Sequence, residues 1–404
     1  MSGMIYQAFQ AQTDAMRPFT MVVQAVAPAL ADVRGWLLAR KLAATYQVFA
    51  LARLTHRRPV FGISSVSVGG REVAVREEAT LVTPFATLLH FRKDTRAAQP
   101  RVLIVAPMSG HFATLLRETV RTMLADHDVY ITDWHNARDV PLAAGRFGLD
   151  ESIEHLMTFL GAIGPGAHLV AICQPCVTAL AAVAVMSEDG HPATPNSLTL
   201  MAGPIDCRIS PTQVNELATM QSIEWFEDNL IGTVPLRHEG AERRVYPGFM
   251  QLSAFMNMNL ERHINSFREL FENIVKGDTE KADATRRFYE EYFAVADLPA
   301  EFYLETVRLV FQECALARGK LKWRGRTVDP SAIRRTALLT VEGEKDDICS
   351  LGQTLAAQDL CSKLRQYLKT HYIQAGAGHY GVFSGKRWSS QIYPVVRDVI
   401  HVSD

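Results

Sequence analysis

The sequence lacks a strong excess of charge and any apolar run long enough to cross a membrane. Its 42 basic and 43 acidic residues leave a net charge of −1, which excludes a basic field for nucleic acid or for an anionic membrane surface. The longest nearly continuous apolar run, 176–186, is too short for a bilayer. Polar and apolar residues alternate through 1–30, so no export signal is predicted. We therefore expect a cytoplasmic protein with no membrane span and no nucleic-acid partner.

Cysteine is also scarce. The 404 residues contain six, which we expect to be reduced thiols: Cys173, Cys176, Cys207, Cys314, Cys349 and Cys361. No second Cys or His pair with ligand spacing follows, so neither a metal nor another cofactor is predicted. The apolar content of 48% and charged content of 21% predict a sizeable core, in one large domain with an insertion or in two domains.

The most informative segment is Cys173-Gln174-Pro175-Cys176. A short apolar run, 167–172, predicts a buried strand before it, and the Ala-rich run 177–186 predicts a helix after it. A Cys at such a turn occupies the nucleophile position of an α/β-hydrolase, where the helix N-terminus stabilises thiolate and oxyanion. A thioredoxin-like pair and a buried structural Cys are the alternatives. The strands predicted earlier in the chain, and the lack of an aromatic residue directly before Cys173, disfavour the redox pair.

Alternating strand and helix patterns predict an α/β fold of the α/β-hydrolase type, with a mostly parallel sheet, helices on both faces and a helical cap insertion. The predicted strands are 72–82, 86–92, 101–106, 128–133, 167–172, 197–202, 337–341 and 372–374, and the predicted helices of the core are 110–125, 151–163 and 177–186. The predicted segments are an N-terminal helical segment 1–60, a core 61–205 and 331–404, and a cap 206–330.

The predicted cap is rich in aromatic residues and shows no clear strand before 337. Phe249, Met250, Phe255 and Met256 are candidate apolar contacts for substrate, because Met repacks easily. The alternative is that the aromatic residues only fill the core of the insertion.

An elbow nucleophile needs an acid and a base, which follow it along the chain in this fold. The strand 337–341 leads into a Gly-x-x-Asp sequence that places Asp346 at the catalytic edge, with the adjacent Asp347 as the alternative. His379 follows the last strand within a Gly-rich loop, so it can reach over the sheet edge to the thiol. We predict that His379 takes the Cys173 proton and that Asp346 orients His379.

The oxyanion needs two N–H donors. The predicted donors are Gln174, directly after the nucleophile, and Met108, on the loop after strand 101–106. Ser109 on the same loop is a candidate substrate contact, but Ser109 or His111 is also suited to cap the next helix. Trp134 and Asn136, after strand 128–133, are candidates to line the pocket, although loop architecture explains them as well.

With these residues in order, the chain resembles the intracellular polyhydroxybutyrate (PHB) depolymerases, whose nucleophile is Cys. The resemblance covers about residues 60–400 and rests on the elbow at Cys173, the Asp133-Trp134 to Val140-Pro141 segment, Val341 to Ile348, and Gly378 to Phe383. It implies hydrolysis of amorphous polymer to 3-hydroxybutyrate oligomers or monomer at cytoplasmic granules. The implied partner is the granule surface. The sequence does not decide whether coenzyme A can act as the acceptor or whether the chain forms a homo-oligomer.

Two other functions stay open beside the redox pair. One is a polyhydroxyalkanoate synthase-like acyltransferase, although those enzymes typically have Gly where this chain has Pro175. The other is a non-catalytic granule-associated protein, which the order Cys173, Asp346, His379 disfavours.

Overall fold

The computed structural model describes residues 54–95, 97–258 and 260–404, with a few residues between 41 and 51. The predicted N-terminal helical segment 1–60 therefore lies mostly outside the described residues. Its last residues, 54–60, are described and are not helical.

The strands divide into one large sheet and two small ones. In chain order they are β1 Ser65–Val68, β2 Arg71–Val82, β3 Ala86–Lys93, β4 Arg101–Val105, β5 Asp128–Trp134, β6 Ala167–Ile172, β7 Ser197–Met201, β8 Gly232–Thr233, β9 Arg244–Tyr246, β10 Leu298–Pro299, β11 Lys322–Trp323, β12 Arg326–Thr327, β13 Ala337–Gly343 and β14 Lys369–Gln374.

The large sheet has the order β1-β2-β3-β5-β4-β6-β7-β13-β14 in the described part of the chain. Strands β1, β2 and β3 pair antiparallel, as do β3 and β5, and every pair from β5 to β14 is parallel. Every residue of β6, β7 and β13 is buried, because helices cover both faces. The predicted α/β-hydrolase fold is confirmed. Its parallel strands bring their carboxyl ends, and the loops that follow, to one edge.

Helices cover the sheet and form most of the insertion. They are α1 Arg117–Met123, α2 Leu149–Ile163, α3 Cys176–Glu188, α4 Gln213–Met220, α5 Ile223–Leu230, α6 Gly248–Met258, α7 Leu260–Lys276, α8 Thr279–Tyr292, α9 Ala300–Glu305, α10 Ala356–Leu360, α11 Gly385–Arg387 and α12 Tyr393–Ser403. Shorter 3-10 or π-helical turns are Ala113–Leu116, Ala137–Asp139, Leu142–Ala144, Thr306–Gln312, Pro330–Ala332, Gln366–Leu368, His379–Val382 and Trp388–Ile392. The predicted helix 110–125 thus begins as a 3-10 turn at Ala113 and becomes α-helical only at Arg117.

The chain between β7 and β13 leaves the large sheet and contains α4 to α9. It also contains strands, contrary to the expectation of none before 337: β8, β9 and β10 form a three-stranded sheet, and β11 pairs with β12. Leu252, Tyr289, Tyr292, Phe293 and Val295 form a buried cluster separate from the main core. Several aromatic residues of the insertion therefore serve its own packing.

Candidate active site

Cys173 lies at the turn between β6 and α3, with a backbone φ of +65°. This left-handed conformation is costly for a residue other than glycine, so neighbouring contacts must hold it. Its N–H donates to the carbonyl of Met201 at 2.8 Å, and its carbonyl accepts from Cys176 N–H at 3.1 Å. Cys173 is half-buried, whereas the strand before it is fully buried. The turn therefore lifts the thiol out of the sheet.

Cys176, at the start of α3, is packed into the core beneath this turn. Its thiol donates to the carbonyl of Ala171 at 3.3 Å. Burial, and then the nearby charge of Cys173, raise the pKa of the Cys176 thiol well above its ordinary value. A side chain at Gly203 would collide with Cys176, so the close approach here requires glycine.

His379 and Asp346 meet at the same edge of the sheet. His379 Nδ1 bonds Asp346 Oδ2 at 2.8 Å. The other carboxylate oxygen of Asp346 accepts from the N–H groups of Ile348 at 2.9 Å and Cys349 at 2.8 Å. Asp347 is exposed. The structure thus brings Asp346, rather than Asp347, to His379.

The charge state of His379 reflects both of its neighbours. Burial lowers the pKa of its imidazole. The negative charges of Cys173 and Asp346, together with the hydrogen bond to Asp346, outweigh burial and raise this pKa well above its ordinary value. Because Nδ1 is engaged by Asp346, Nε2 is the nitrogen left for Cys173. The arrangement favours the protonated form of His379.

A buried polar framework holds the loop that carries Asp346. The carboxylate of Glu342, 1% exposed, accepts from the N–H groups of Gly352, Thr354 and Leu355 at 2.8–3.0 Å. The Thr354 hydroxyl accepts from Gly203 N–H at 2.8 Å and donates to the Gly203 carbonyl at 3.0 Å. Sequence reasoning missed Glu342, Thr354 and Gly203, which couple the acid loop to the floor of the elbow.

The two predicted oxyanion donors are unpaired. The backbone N–H groups of Gln174 and Met108 donate to no group in the described part of the chain. Met108 follows β4, which lies beside β6 in the sheet, so its loop shares an edge with the elbow. Two unpaired N–H groups beside a thiolate can stabilise negative charge on a carbonyl oxygen.

The chain matches one known protein family over its C-terminal half. The family model described as PHB de-polymerase C-terminus matches residues 202–404, just over half of the chain. The chain belongs to this family. The matched residues include the insertion, Asp346 and His379, whereas Cys173 precedes them. No curated protein matches the chain.

Several solved structures are similar at low identity. The monoacylglycerol lipase of Paleococcus ferrophilus is 12% identical, with a TM-score of 0.43 over 76% of this chain and 97% of its own. The meta-cleavage product hydrolase of Pseudomonas fluorescens IP01 is 13% identical, with a TM-score of 0.43 over 84% of this chain and 98% of its own. The 2-hydroxy-6-oxo-6-phenylhexa-2,4-dienoate hydrolase of Rhodococcus sp. strain RHA1 is 13% identical, with a TM-score of 0.43 over 81% of this chain and 99% of its own.

The loop after Met108 packs against the insertion of this depolymerase-family chain. The 3-10 turn Ala113–Leu116 has Phe112 at its N-cap and no side-chain cap, so neither Ser109 nor His111 caps it. His111 Nε2 instead lies 3.2 Å from the carbonyl of Tyr292, at the end of α8. Burial lowers the pKa of His111 to about 4, which keeps its ring neutral. Ser109 is half-buried beside this contact.

Trp134 and Asn136 lie on a cavity of about 430 Å³ at the end of β5. Trp134 Nε1 donates to the carbonyl of Ala106 at 2.7 Å, just before the Met108 loop. Asn136 Oδ1 accepts from Asp297 N–H at 3.0 Å and from Arg138 N–H at 3.3 Å. These hydrogen bonds connect the loops at the catalytic edge to each other and to the insertion. Trp134 and Asn136 therefore have a structural role in these loops, in addition to lining the cavity.

The predicted apolar contacts of the cap do not form one exposed surface among the described side chains. Phe249 packs against Val234 and Val245, Met250 against the main core, and Met256 against the cluster around Tyr292. All three are half-buried. The side chain of Phe255 lies outside the described part of the chain. Residues of one helix, α6, thus pack into three different apolar clusters.

Neither a metal centre nor a membrane span is found in the described residues. No group of three or more His, Cys, Asp or Glu there is arranged to hold a metal ion. In that same part of the chain, no helix combines the length and the apolar character that crossing a bilayer requires.

Proposed function

We propose that this chain hydrolyses amorphous poly(3-hydroxybutyrate) to 3-hydroxybutyrate oligomers or monomer at cytoplasmic granules, through an acyl-thioester on Cys173. Family membership supports a polyester as the substrate. The observation that carries the chemistry is the elbow: Cys173 has a φ of +65° and lies close enough to His379 for its charge to raise the pKa of the imidazole, and His379 Nδ1 bonds Asp346 at 2.8 Å.

Acylation uses the ion pair directly. The Cys173 thiolate attacks the ester carbonyl carbon, and the N–H groups of Gln174 and Met108 receive the negative charge on the carbonyl oxygen. His379 Nε2–H then protonates the alkoxide as the carbon–oxygen bond breaks, which releases one chain fragment as an alcohol. The other fragment stays on Cys173 as a thioester.

Deacylation returns the enzyme to its starting state. Neutral His379 takes a proton from water, whose oxygen attacks the thioester carbonyl, and the carbon–sulfur bond breaks to release a carboxylic acid and the Cys173 thiolate. The thiol of coenzyme A is the other acceptor that this site admits, and it would release an acyl-CoA instead.

The position of Cys176 disfavours a redox reaction. Its thiol is fully buried, bonds the carbonyl of Ala171 and has a raised pKa, so little of it is present as thiolate. A resolving cysteine needs both thiolate character and access to its partner.

The test compares Cys173→Ala with the matched control Cys176→Ala. Wild-type protein should release 3-hydroxybutyrate from amorphous granules, Cys173→Ala should release none, and Cys176→Ala should keep most of the activity. Parallel reactions contain coenzyme A, to detect thiolysis, or 3-hydroxybutyryl-CoA alone, to detect synthesis. Polymer made from the CoA ester, or granule binding without release, would contradict the proposal. Loss of activity in both variants together with a titratable disulfide would favour the redox pair.

A further inference from the structure

The side-chain amide of Gln174 is a buried polar group to which the mechanism above gives no role. Both of its polar atoms, Nε2 and Oε1, are buried and have no hydrogen-bond partner in the part of the chain that the structure describes. Other buried amides in the described part of the chain are only partly unpaired. Gln358, for example, leaves Oε1 unpaired, but its Nε2 donates to Thr340 Oγ1 at 3.0 Å and to the Thr370 carbonyl at 2.8 Å.

A buried amide without hydrogen bonds destabilises the folded protein. Removing a donor and an acceptor from water without replacing their hydrogen bonds costs stability, and native proteins seldom leave such groups unpaired. The amide of Gln358 holds α10 to the sheet, whereas that of Gln174 bonds no group among the described residues. Its partner is therefore a group that is absent from the free chain.

The location of Gln174 limits what that partner is. Its Cα lies about 3.8 Å from the Cα of Cys173, because the two residues are consecutive. A glutamine side chain at this position is long enough to reach an acyl group on the Cys173 sulfur. Both amide atoms are buried, but Gln174 as a whole is half-buried, as is Cys173, so the open side of the elbow is the side from which a partner can approach.

We infer that the Gln174 amide binds the oxygen on carbon 3 of the acyl group attached to Cys173, an inference that rests on the proposed function. Nε2–H donates to this oxygen whether it is a free hydroxyl or the ester oxygen of the next unit. Oε1 accepts a hydrogen bond only from a free hydroxyl, as at a chain end. Gln174 then makes the enzyme selective for 3-oxygenated acyl groups over plain acyl groups.

The test uses three soluble esters of one alcohol, with 3-hydroxybutyryl, 3-acetoxybutyryl and butyryl groups. The readout is the ratio of kcat/KM between esters, which cancels any general effect on Cys173. In the wild type we expect the order hydroxy, acetoxy, butyryl, with about tenfold for each hydrogen bond. Gln174→Leu, of similar size and without polar atoms, should bring both ratios close to one.

Gln358→Leu is the matched control, because it makes the same change at an amide that is bonded within the chain. It should lower the melting temperature and leave the ratios unchanged. Gln174→Leu should melt no lower than the wild type, since it removes an unpaired buried amide. Unchanged ratios in Gln174→Leu, or a wild type that does not prefer oxygenated esters, would overturn the inference.

Failure of the proposed function has a different signature. A protein that leaves granules intact but loses its ester preference in Gln174→Leu supports the inference and refutes polymer hydrolysis. A protein that degrades granules while Gln174→Leu keeps the wild-type ratios refutes only the inference.

Discussion

The contrast between Asp346→Asn and Asp347→Asn tests the assignment of the acid. Asp346 Oδ1 accepts two backbone N–H groups and Oδ2 faces His379. In Asp346→Asn, the two N–H donors hold the amide oxygen, so the NH₂ group must face His379 Nδ1. The ring then carries its proton on Nε2, the nitrogen that should accept one from water during deacylation. A substitution that fixes the wrong tautomer in a triad costs on the order of 10⁴ in kcat, which is about 5.5 kcal/mol of transition-state stabilisation.

The assay is steady-state turnover of a soluble 3-hydroxybutyrate ester, with a thermal melt for each variant. Asp346→Asn keeps both backbone hydrogen bonds, so its melting temperature should stay within a few degrees of the wild type. Asp347→Asn changes an exposed carboxylate and should retain activity within about twofold. Equal losses in the two variants, or a larger loss in Asp347→Asn, would refute the assignment.

Two further predictions concern packing and pH. Gly203→Ala should destabilise the protein by about 3 kcal/mol in urea unfolding, because its Cβ collides with Cys176, and Cys176→Gly in the same chain should restore much of that loss. No rescue would place the strain elsewhere. Burial lowers the pKa of His111 and of His127 to about 4 in the folded state, so unfolding takes up protons below about pH 6.5. Their contribution to stability is full above that pH and falls toward pH 4, by about 2 kcal/mol each at pH 5. A urea midpoint that is equal at pH 7 and pH 5 would contradict this, and His127→Asn should remove about half of the change.

The sequence predicts the large sheet well because its strands are long apolar runs. Runs such as 101–106 and 167–172 can be buried on both faces only in a sheet covered by helices, and they become β4 and β6. The short strands of the insertion escape prediction, since β8 and β10 have two residues each and two residues show no period. The helix α12 was missed although Tyr393, Val396 and Ile400 give it a buried face at helical spacing.

The residues of the candidate site, like the strands, were predicted only in part from the sequence. Chain order and loop placement single out Cys173 and His379, but adjacent acidic residues look alike in a sequence, and only burial separates Asp346 from Asp347. No pattern in the sequence marks Glu342 or Thr354 as a residue that supports the site. Their role comes from hydrogen bonds to backbone groups, some of them distant in sequence, which leave no motif.

In the proposed mechanism, the buried framework and the protonated His379 together favour a thiol over a hydroxyl at this elbow. A serine hydroxyl is neutral until its base removes the proton during attack, whereas the neighbours of His379 favour its protonated form before substrate arrives. The proton needed by the leaving alkoxide is therefore already on Nε2, and attack by sulfur does not have to wait for a proton transfer. This advantage exists only if the imidazolium stays between two negative groups. Thr354 bonds the backbone of Gly203 beneath the elbow, and its own N–H bonds Glu342 on the strand that leads to Asp346. The geometry of the proposed triad thus depends on hydrogen bonds between side chains and backbone groups that lie one layer below it.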